Sequence, residues 1–149
     1  MLRCHRITSA LEVIKCWPAL QAGLQVATKG KTDNINLFKA LCVLATDESK
    51  GFVALVLNDK RMEGFCAMED VTPLFATSHT FLCRAFYHQS GNAASTQFLM
   101  HFFESWARGR NISSYSVTTE RQSGAAIRCF KSEQYGFKRS YVTFVKQLN

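Results

Sequence analysis

The chain has 149 residues, of which 47% are hydrophobic and 19% charged, and this balance excludes wholesale disorder. A single domain of this length buries about 70% of the surface that its unfolded form exposes, so it builds a hydrophobic core without disulfide bonds or a structural metal ion. The 18 Lys+Arg exceed the 11 Asp+Glu and give a net charge of +7. A basic surface attracts phosphates, so nucleic acid and the diphosphate of a cofactor are candidate ligands, and solubility alone is the alternative.

Cysteine spacing and hydropathy indicate where such a chain resides. The 6 cysteines form no C-x-x-C pair, which gives no support to a zinc or thioredoxin-type site. Several lie in apolar runs such as 41–44 and 65–67, so we predict six unpaired thiols in a reducing compartment, the cytoplasm. No apolar run approaches the roughly 20 residues of a membrane-spanning helix, and the first six residues lack the apolar core of a signal peptide.

The first half of the chain predicts a strand, two helices and a hairpin. Residues 2–8 alternate as a first strand, and Ser9 and Glu12 then have the spacing of a capping box. The helix that follows is interrupted by Pro18 and has an apolar stripe of Leu11, Ile14, Leu20 and Leu24. A second helix is predicted by Leu37, Phe38, Leu41 and Leu44 or Ala45. The buried strand 52–57, the tight turn 58–60 and the strand 62–69 form the hairpin.

The second half predicts an extended run over 80–87, a loop of small residues over 88–94 and a long helix from Ser95. The apolar stripe of that helix consists of Phe98, Leu99, Phe102, Phe103 and Trp106. A strand over 114–119, a short helix over 123–130 and a last strand over 141–148 follow. We therefore predict one α/β domain over 1–149, with a mixed, mostly antiparallel central sheet of six to seven strands flanked by helices.

The loop between the extended run and the long helix reads His88-Gln89-Ser90-Gly91-Asn92-Ala93. It resembles the acetyl-CoA loop of the GNAT N-acetyltransferase superfamily, Arg/Gln-x-x-Gly-x-Gly/Ala, because it matches at the Gly and the Ala, while His88 replaces the Arg or Gln. Aligning Trp106 with the family's Trp at the helix end moves the loop toward Thr96. N–H groups at a helix N-terminus bind phosphate oxygens, and small side chains let the diphosphate approach. The resemblance implies acetyl-CoA binding by Phe86, Tyr87, His88, Gly91, Asn92, Ala93, Ala94, Ser95 and Thr96.

A later segment is similar to the family motif Asn-x-x-Ala-x-x-x-Tyr…Gly-Phe. Residues 123–130 and the pair Gly136-Phe137 carry the match, with Ser123 in the place of the Asn as a competent N-cap. The resemblance adds Ser123 and Arg128 to the candidate cofactor-binding residues.

The same motif departs from the family at the positions that transfer protons. In many members the Tyr protonates the departing thiolate, but Phe130 stands here and has no hydroxyl, so Tyr135 is the candidate acid. A carboxylate often acts as base at the position of Thr118. Glu120, two residues further along on the same face of the strand, is the candidate base, and the alternative is that Glu120 is only a solvated charge at the strand end. Glu69 is the second candidate for the base. Three roles stay open for His88: a base, a partner of the cofactor phosphates, or an exposed loop residue without a function in the site.

Two functions fit this resemblance. The first is an acetyl-CoA-dependent N-acetyltransferase acting on an unidentified amine, with acetyl-CoA between two parallel strands around 84–87 and 115–119. The second is a non-catalytic structural, assembly or binding protein on the same fold, such as a phage virion-associated protein, and Phe130 and Thr118 favour it. Nucleic-acid binding is disfavoured because no reader motif is present. The sequence indicates no membrane association, and it identifies neither the amine, a protein partner nor the oligomeric state.

Overall fold

The computed structural model of the chain describes residues 1–28, 33–89, 93–117, 131, 136 and 137. Its elements are β1 (Leu2–Ile7), α1 (Ala10–Thr28), α2 (Asn34–Thr46), β2 (Gly51–Asn58), β3 (Arg61–Asp70), β4 (His79–His88), α3 (Ala93–Ala107) and β5 (Ile112–Val117). These eight elements confirm the predicted order from the first strand to the strand near 114–119. The predicted helix over 123–130 and strand over 141–148 lie outside the described residues.

The strands form one mixed sheet in the order β1-β2-β3-β4-β5. The first three pairings are antiparallel and β4 pairs with β5 in parallel, which confirms a mixed, mostly antiparallel sheet. The described residues contain five strands rather than the predicted six to seven, because the sixth predicted strand falls beyond them. The hairpin turns between β2 and β3 at Asp59, whose φ of 54° is the left-handed conformation that a tight hairpin turn needs.

Two helical layers cover the two faces of this sheet. Side chains of α1 and α2, including Leu20 and Leu41, bury one face together with Val53 and Leu55 of β2. On the other face, side chains of α3 pack against Phe52, Ala54 and Val56 of the same strand. Strand β2 is therefore covered on both faces, which explains why its sequence is an unbroken apolar run rather than an alternating one.

Helix α1 begins at the predicted capping box. The Glu12 N–H donates to Ser9 Oγ at 3.2 Å, and the Glu12 carboxylate in turn accepts from the Thr8 N–H at 2.8 Å. The bond from the Thr8 N–H, aided by His5, lowers the pKa of Glu12 to about 2. The local sequence thus fixes the position at which the chain turns from β1 into the helix.

Two predictions about α1 are wrong. Pro18 does not interrupt the helix, which continues from Ala10 to Thr28. Of the predicted stripe, Leu20 and Leu24 are buried, but Leu11 and Ile14 are 59% and 54% exposed and Val13 is buried instead. The error arises because α1 carries apolar residues on both of its faces, and periodicity alone does not tell which face packs on the sheet.

Helix α3 confirms its predicted stripe in most positions. Leu99 and Phe103 are fully buried, Phe102 and Trp106 pack at the edge of the same cluster, and Phe98 is 44% exposed. The helix ends at Ala107, and Gly109 follows with a φ of 78°, a conformation that glycine adopts without strain. None of the helices in the described ranges has the length and hydropathy that crossing a membrane requires.

Candidate functional site

The candidate site lies where β4 ends and α3 begins. Strand β4 runs parallel to β5, and α3 makes the crossover between them. In a crossover of this kind the carboxyl end of the first strand lies beside the N-terminus of the helix, and ligands of open α/β sheets bind at such carboxyl ends. Phe86, Tyr87 and His88 are the last three residues of β4, and 93–96 form the first turn of α3.

Strand β4 carries a β-bulge four residues before its end. Ala67 pairs with Ala85 while Met68 pairs with Cys83, so Arg84 is the extra residue on β4. The Arg84 Nε donates to a carboxylate oxygen of Glu69 on the neighbouring strand. Bulges are frequent beside active sites, where they redirect side chains and free backbone groups from the ladder. The bulge therefore places a paired carboxylate, Glu69, next to the strand that leads to the candidate loop.

The last three residues of β4 do not all point to the same side of the sheet. Tyr87 stacks on Phe65 with ring centroids 6.1 Å apart, so its ring belongs to the side covered by α1. Phe86 packs on the side covered by α3, and its ring lies 6.0 Å from that of His88. His88 is half-buried, and its Nδ1 lies 3.0 Å from the Gln89 carbonyl. The structure therefore places the His88 ring at the end of β4, and the role of this residue stays a prediction.

The first turn of α3 combines N-terminal N–H groups with buried polar side chains. The N–H groups at the N-terminus of an α-helix, here those of 93–95, have no acceptor within the helix itself. Ser95 and Thr96 are fully buried, and they are the polar residues that the core of the described region encloses. The Thr96 hydroxyl has no hydrogen-bond partner among the described residues. A buried hydroxyl without a partner is costly, so this turn fits a polar ligand.

Nucleophilic and metal chemistry find no support in the described part of the chain. Burial raises the pKa of the Cys83 thiol, beside the bulge, to about 12. Burial also raises the thiol pKa values of Cys4, Cys16, Cys42 and Cys66. These five thiols are free, as predicted, and none is a thiolate at neutral pH. No cluster of metal-ligating side chains occurs within 1–28, 33–89 or 93–117.

A concavity of about 370 Å³ lies at the opposite end of α3, between that end and β5. Tyr115 lines it and donates from its hydroxyl to Glu104 Oε1 at 2.7 Å, and Phe137 packs edge-on against the Tyr115 ring. Burial and then the bond to Glu104 raise the pKa of Tyr115, so its hydroxyl stays protonated at neutral pH. This end of the helix is about 16 Å from Thr96, so the concavity is separate from the candidate site.

Several candidate residues lie outside the described residues: Gly91, Asn92, Thr118, Glu120, Ser123, Arg128, Phe130 and Tyr135. The roles assigned to them stay predictions. Conversely, sequence reasoning missed Arg84, because a bulge becomes evident only from the pairing of β4 with β3. It also did not distinguish Thr96 from its neighbours, although Thr96 is fully buried and its hydroxyl has no partner among the described residues.

Neither a family model nor a curated protein matches the sequence, but solved structures match the fold. An aminoglycoside acetyltransferase from an uncultured soil metagenomic sample, in complex with sisomicin, has a TM-score of 0.76 at 12% identity and covers 99% of this chain and 97% of its own. Ribosomal-protein-alanine N-acetyltransferase from Brucella melitensis biovar Abortus has a TM-score of 0.70 at 14% identity and covers 100% of both chains. A GNAT family acetyltransferase from Staphylococcus aureus has a TM-score of 0.70 at 13% identity, over 99% of this chain and 98% of its own.

These likenesses define the class of fold. The chain has the GNAT acetyltransferase fold over its full length, which confirms the resemblance indicated by the loop 88–93 and the segment 123–137. At 12 to 14% identity, the likeness concerns the fold alone.

Proposed function

We propose that this chain is an acetyl-CoA-dependent N-acetyltransferase. The observation that carries the proposal is the buried, unpartnered hydroxyl of Thr96 in the first turn of α3, at the end of β4 where a GNAT fold typically binds acetyl-CoA. The N–H groups at a helix N-terminus and the positive end of the helix dipole favour a diphosphate at the same turn. The net charge of +7 adds a favourable long-range field for such an anion.

The residues that would hold acetyl-CoA fall into two groups. The backbone of 93–95 would donate N–H groups, and Gly91 and Ala93 would leave room for the phosphates because they are small. The backbone of β4 after the bulge supplies further donors and acceptors along the strand. Asn92, Ser123 and Arg128 complete the proposed set on the family motifs alone.

Bound acetyl-CoA supplies an activated acetyl group, which an acceptor amine attacks. In the balanced reaction an N–C bond forms, the C–S bond breaks, the amine loses a proton and the CoA sulfur gains one. Glu69 is a candidate to accept the amine proton, because Arg84 holds its carboxylate beside the bulge. Glu120 and Tyr135 are the further candidates for base and acid. The raised pKa of Cys83 disfavours an acetylated cysteine, so the amine attacks directly.

The acceptor is proposed only as an amine. Two of the similar proteins are named for different acceptors, an aminoglycoside and the alanine of a ribosomal protein. One fold therefore serves acceptors of very different size, and the fold does not select between them.

Calorimetric titration with acetyl-CoA tests the cofactor site. We expect wild type to bind, and Ala93→Glu to abolish binding because the new side chain adds volume and negative charge at the first residue of α3. His101→Glu is the matched control: it adds the same charge to an exposed position of the same helix, about 12 Å further along. It should bind as wild type does, and both variants should unfold near the wild-type temperature.

The outcomes separate the hypotheses. Equal binding by wild type and Ala93→Glu would show that this turn does not hold acetyl-CoA. Absence of binding by wild type removes the enzyme hypothesis. If acetyl-CoA binds, release of free thiol is then measured with a panel of amines, and Glu69→Gln should slow that release without weakening acetyl-CoA binding if Glu69 is the base.

The second candidate is a non-catalytic protein on the same fold, with a structural, assembly or binding role such as that of a phage virion-associated protein. Phe130, in place of the family's proton-donating Tyr, specifically favours it. Binding of acetyl-CoA without any thiol release across the amine panel would support this second function.

A further inference from the structure

The two helices that cover one face of the sheet have unusually apolar outer surfaces. On α1, exposed residues recur at helical spacing along one stripe, and they include Leu11, Ile14 and Val26, which are 59%, 54% and 54% exposed. On α2, Ile35 and Val43 are 65% and 46% exposed. A helix that is apolar on its inner and outer faces is characteristic of a buried helix, so the outer face of α1 lacks its cover in the single chain.

This surface is also nearly free of charge. Nine described side chains of α1 and seven of α2 are exposed, and of these only Lys15 and Lys39 are charged. A typical protein surface has about 25–35% charged residues, which would place four or five charges here. A partner bound through charge would find little to pair with, whereas an uncharged apolar partner would be well matched.

The two outer faces form one continuous surface. Both helices bury their inner faces in the same cluster on the same side of the sheet, and the rings of Trp17 and Phe38 join them edge to face at 5.3 Å. Helices of 19 and 13 residues are about 28 Å and 20 Å long and about 10 Å wide. Together they offer about 500 Å² on each copy, so two copies would bury about 1,000 Å², the area at which specific interfaces begin.

We propose that a second copy of this chain covers the α1–α2 surface, in a two-fold symmetric dimer that joins four helices. The area reaches what such a dimer needs, and a self-complementary interface needs no opposite charges on the partner. An anionic lipid surface fits less well, because membrane attraction relies on clusters of basic residues and this surface has two lysines. This proposal is independent of acetyl-CoA binding.

Sedimentation equilibrium over about 1–200 µM protein tests the proposal with variants on and off the surface. Wild type should be a dimer in the upper part of that range, because interfaces at this low end of the area range are typically weak. Ile14→Glu and Val43→Glu should each raise the dimer Kd about tenfold or more, since a buried unpaired charge is costly. Phe75→Glu is the matched control, because Phe75 is 95% exposed and lies in the loop between β3 and β4, outside both helices. It should dimerise as wild type does, and circular dichroism checks that all variants fold.

Salt dependence adds a second criterion. Two copies with a net charge of +7 repel each other, so raising NaCl from about 0.05 to 0.5 M should leave the dimer Kd unchanged or tighten it about threefold. A monomeric wild type at 200 µM overturns the proposal, and so does dimerisation that persists in both Ile14→Glu and Val43→Glu or is lost in Phe75→Glu. Sedimentation of monomeric wild type with phosphatidylserine vesicles, lost at high salt, would identify a membrane surface instead.

Discussion

Replacing Thr96 by Val removes one hydroxyl and keeps the shape of the side chain. Thr96 is fully buried and its Oγ1 has no partner within the described residues. Burial of such a hydroxyl costs about 1–3 kcal/mol, and Thr and Val have similar helix propensities. Thr96→Val should therefore stabilise the ligand-free protein by about 1–3 kcal/mol. For a chain of this length that corresponds to an increase in Tm of roughly 2–10 °C.

The same change should weaken acetyl-CoA binding. A hydrogen bond to a charged group contributes about 1.5–3 kcal/mol, so loss of the hydroxyl should raise the Kd about 10- to 100-fold. Thermal unfolding without ligand and calorimetric titration measure the two effects separately. Thr46→Val is the control, because its exposed hydroxyl already donates to the Cys42 carbonyl at 2.8 Å and its loss should not stabilise the protein. If Thr96→Val lowers Tm, the hydroxyl has a partner in the protein and the reasoning fails.

Three further predictions concern stability and thiol chemistry. Glu12→Gln should destabilise the protein by about 1 kcal/mol at pH 7. The pKa of Glu12 in the folded protein is about 2, below the ordinary value near 4.3 for a Glu side chain. The stability that the Glu12 carboxylate contributes is therefore present above pH 4.3 and is lost as the pH falls toward 2. Urea unfolding across that range checks it, and a wild-type/variant difference that persists at pH 2 would contradict it. Gly51→Ala should cost about 1–3 kcal/mol, because its Cβ would lie 2.8 Å from Leu44 Cα in the backbone of α2, and a urea midpoint equal to that of wild type would refute this. Alkylation of denatured, non-reduced protein should modify all 6 cysteines, as measured by intact mass. In native protein the buried Cys66 and Cys83 should stay unmodified. Fewer than six modified sites after denaturation would reveal a disulfide.

Much of the fold was predictable because its elements have strong local signals. The run 52–57, the turn at Asp59 and the capping box at Ser9 each determine structure through neighbours close in sequence. The faces of α1 were not predictable, since Leu11, Val13 and Ile14 are equally apolar and only contact with the sheet selects Val13. Local patterns specify that a helix forms, whereas its burial is decided by residues far away in the sequence.

The candidate site shows the same division. The small residues of 88–94 predicted a loop before α3, but the loop is shorter than predicted, because β4 continues to His88 and the helix begins at Ala93 rather than at Ser95. The pairing of Glu69 with Arg84 was not predictable, because it depends on the register between β3 and β4. Ser95 and Thr96 have the composition of an ordinary helix start, and their complete burial becomes evident only when α3 is packed on the sheet.

The extra residue at Arg84 reverses the two faces of β4. Before it, Phe81 and Cys83 face the α3 side, and after it Ala85 and Tyr87 face the α1 side, although all four have odd numbers. Deletion of Arg84 would make Cys83 and Ala85 consecutive, and consecutive strand residues face opposite sides as these two already do, so the later side chains would keep their faces. An alanine inserted between Phe86 and Tyr87 has no bulge to absorb it and would turn Tyr87 and His88 to the opposite faces. Soluble yield should therefore fall sharply for the insertion and stay closer to wild type for the deletion of Arg84.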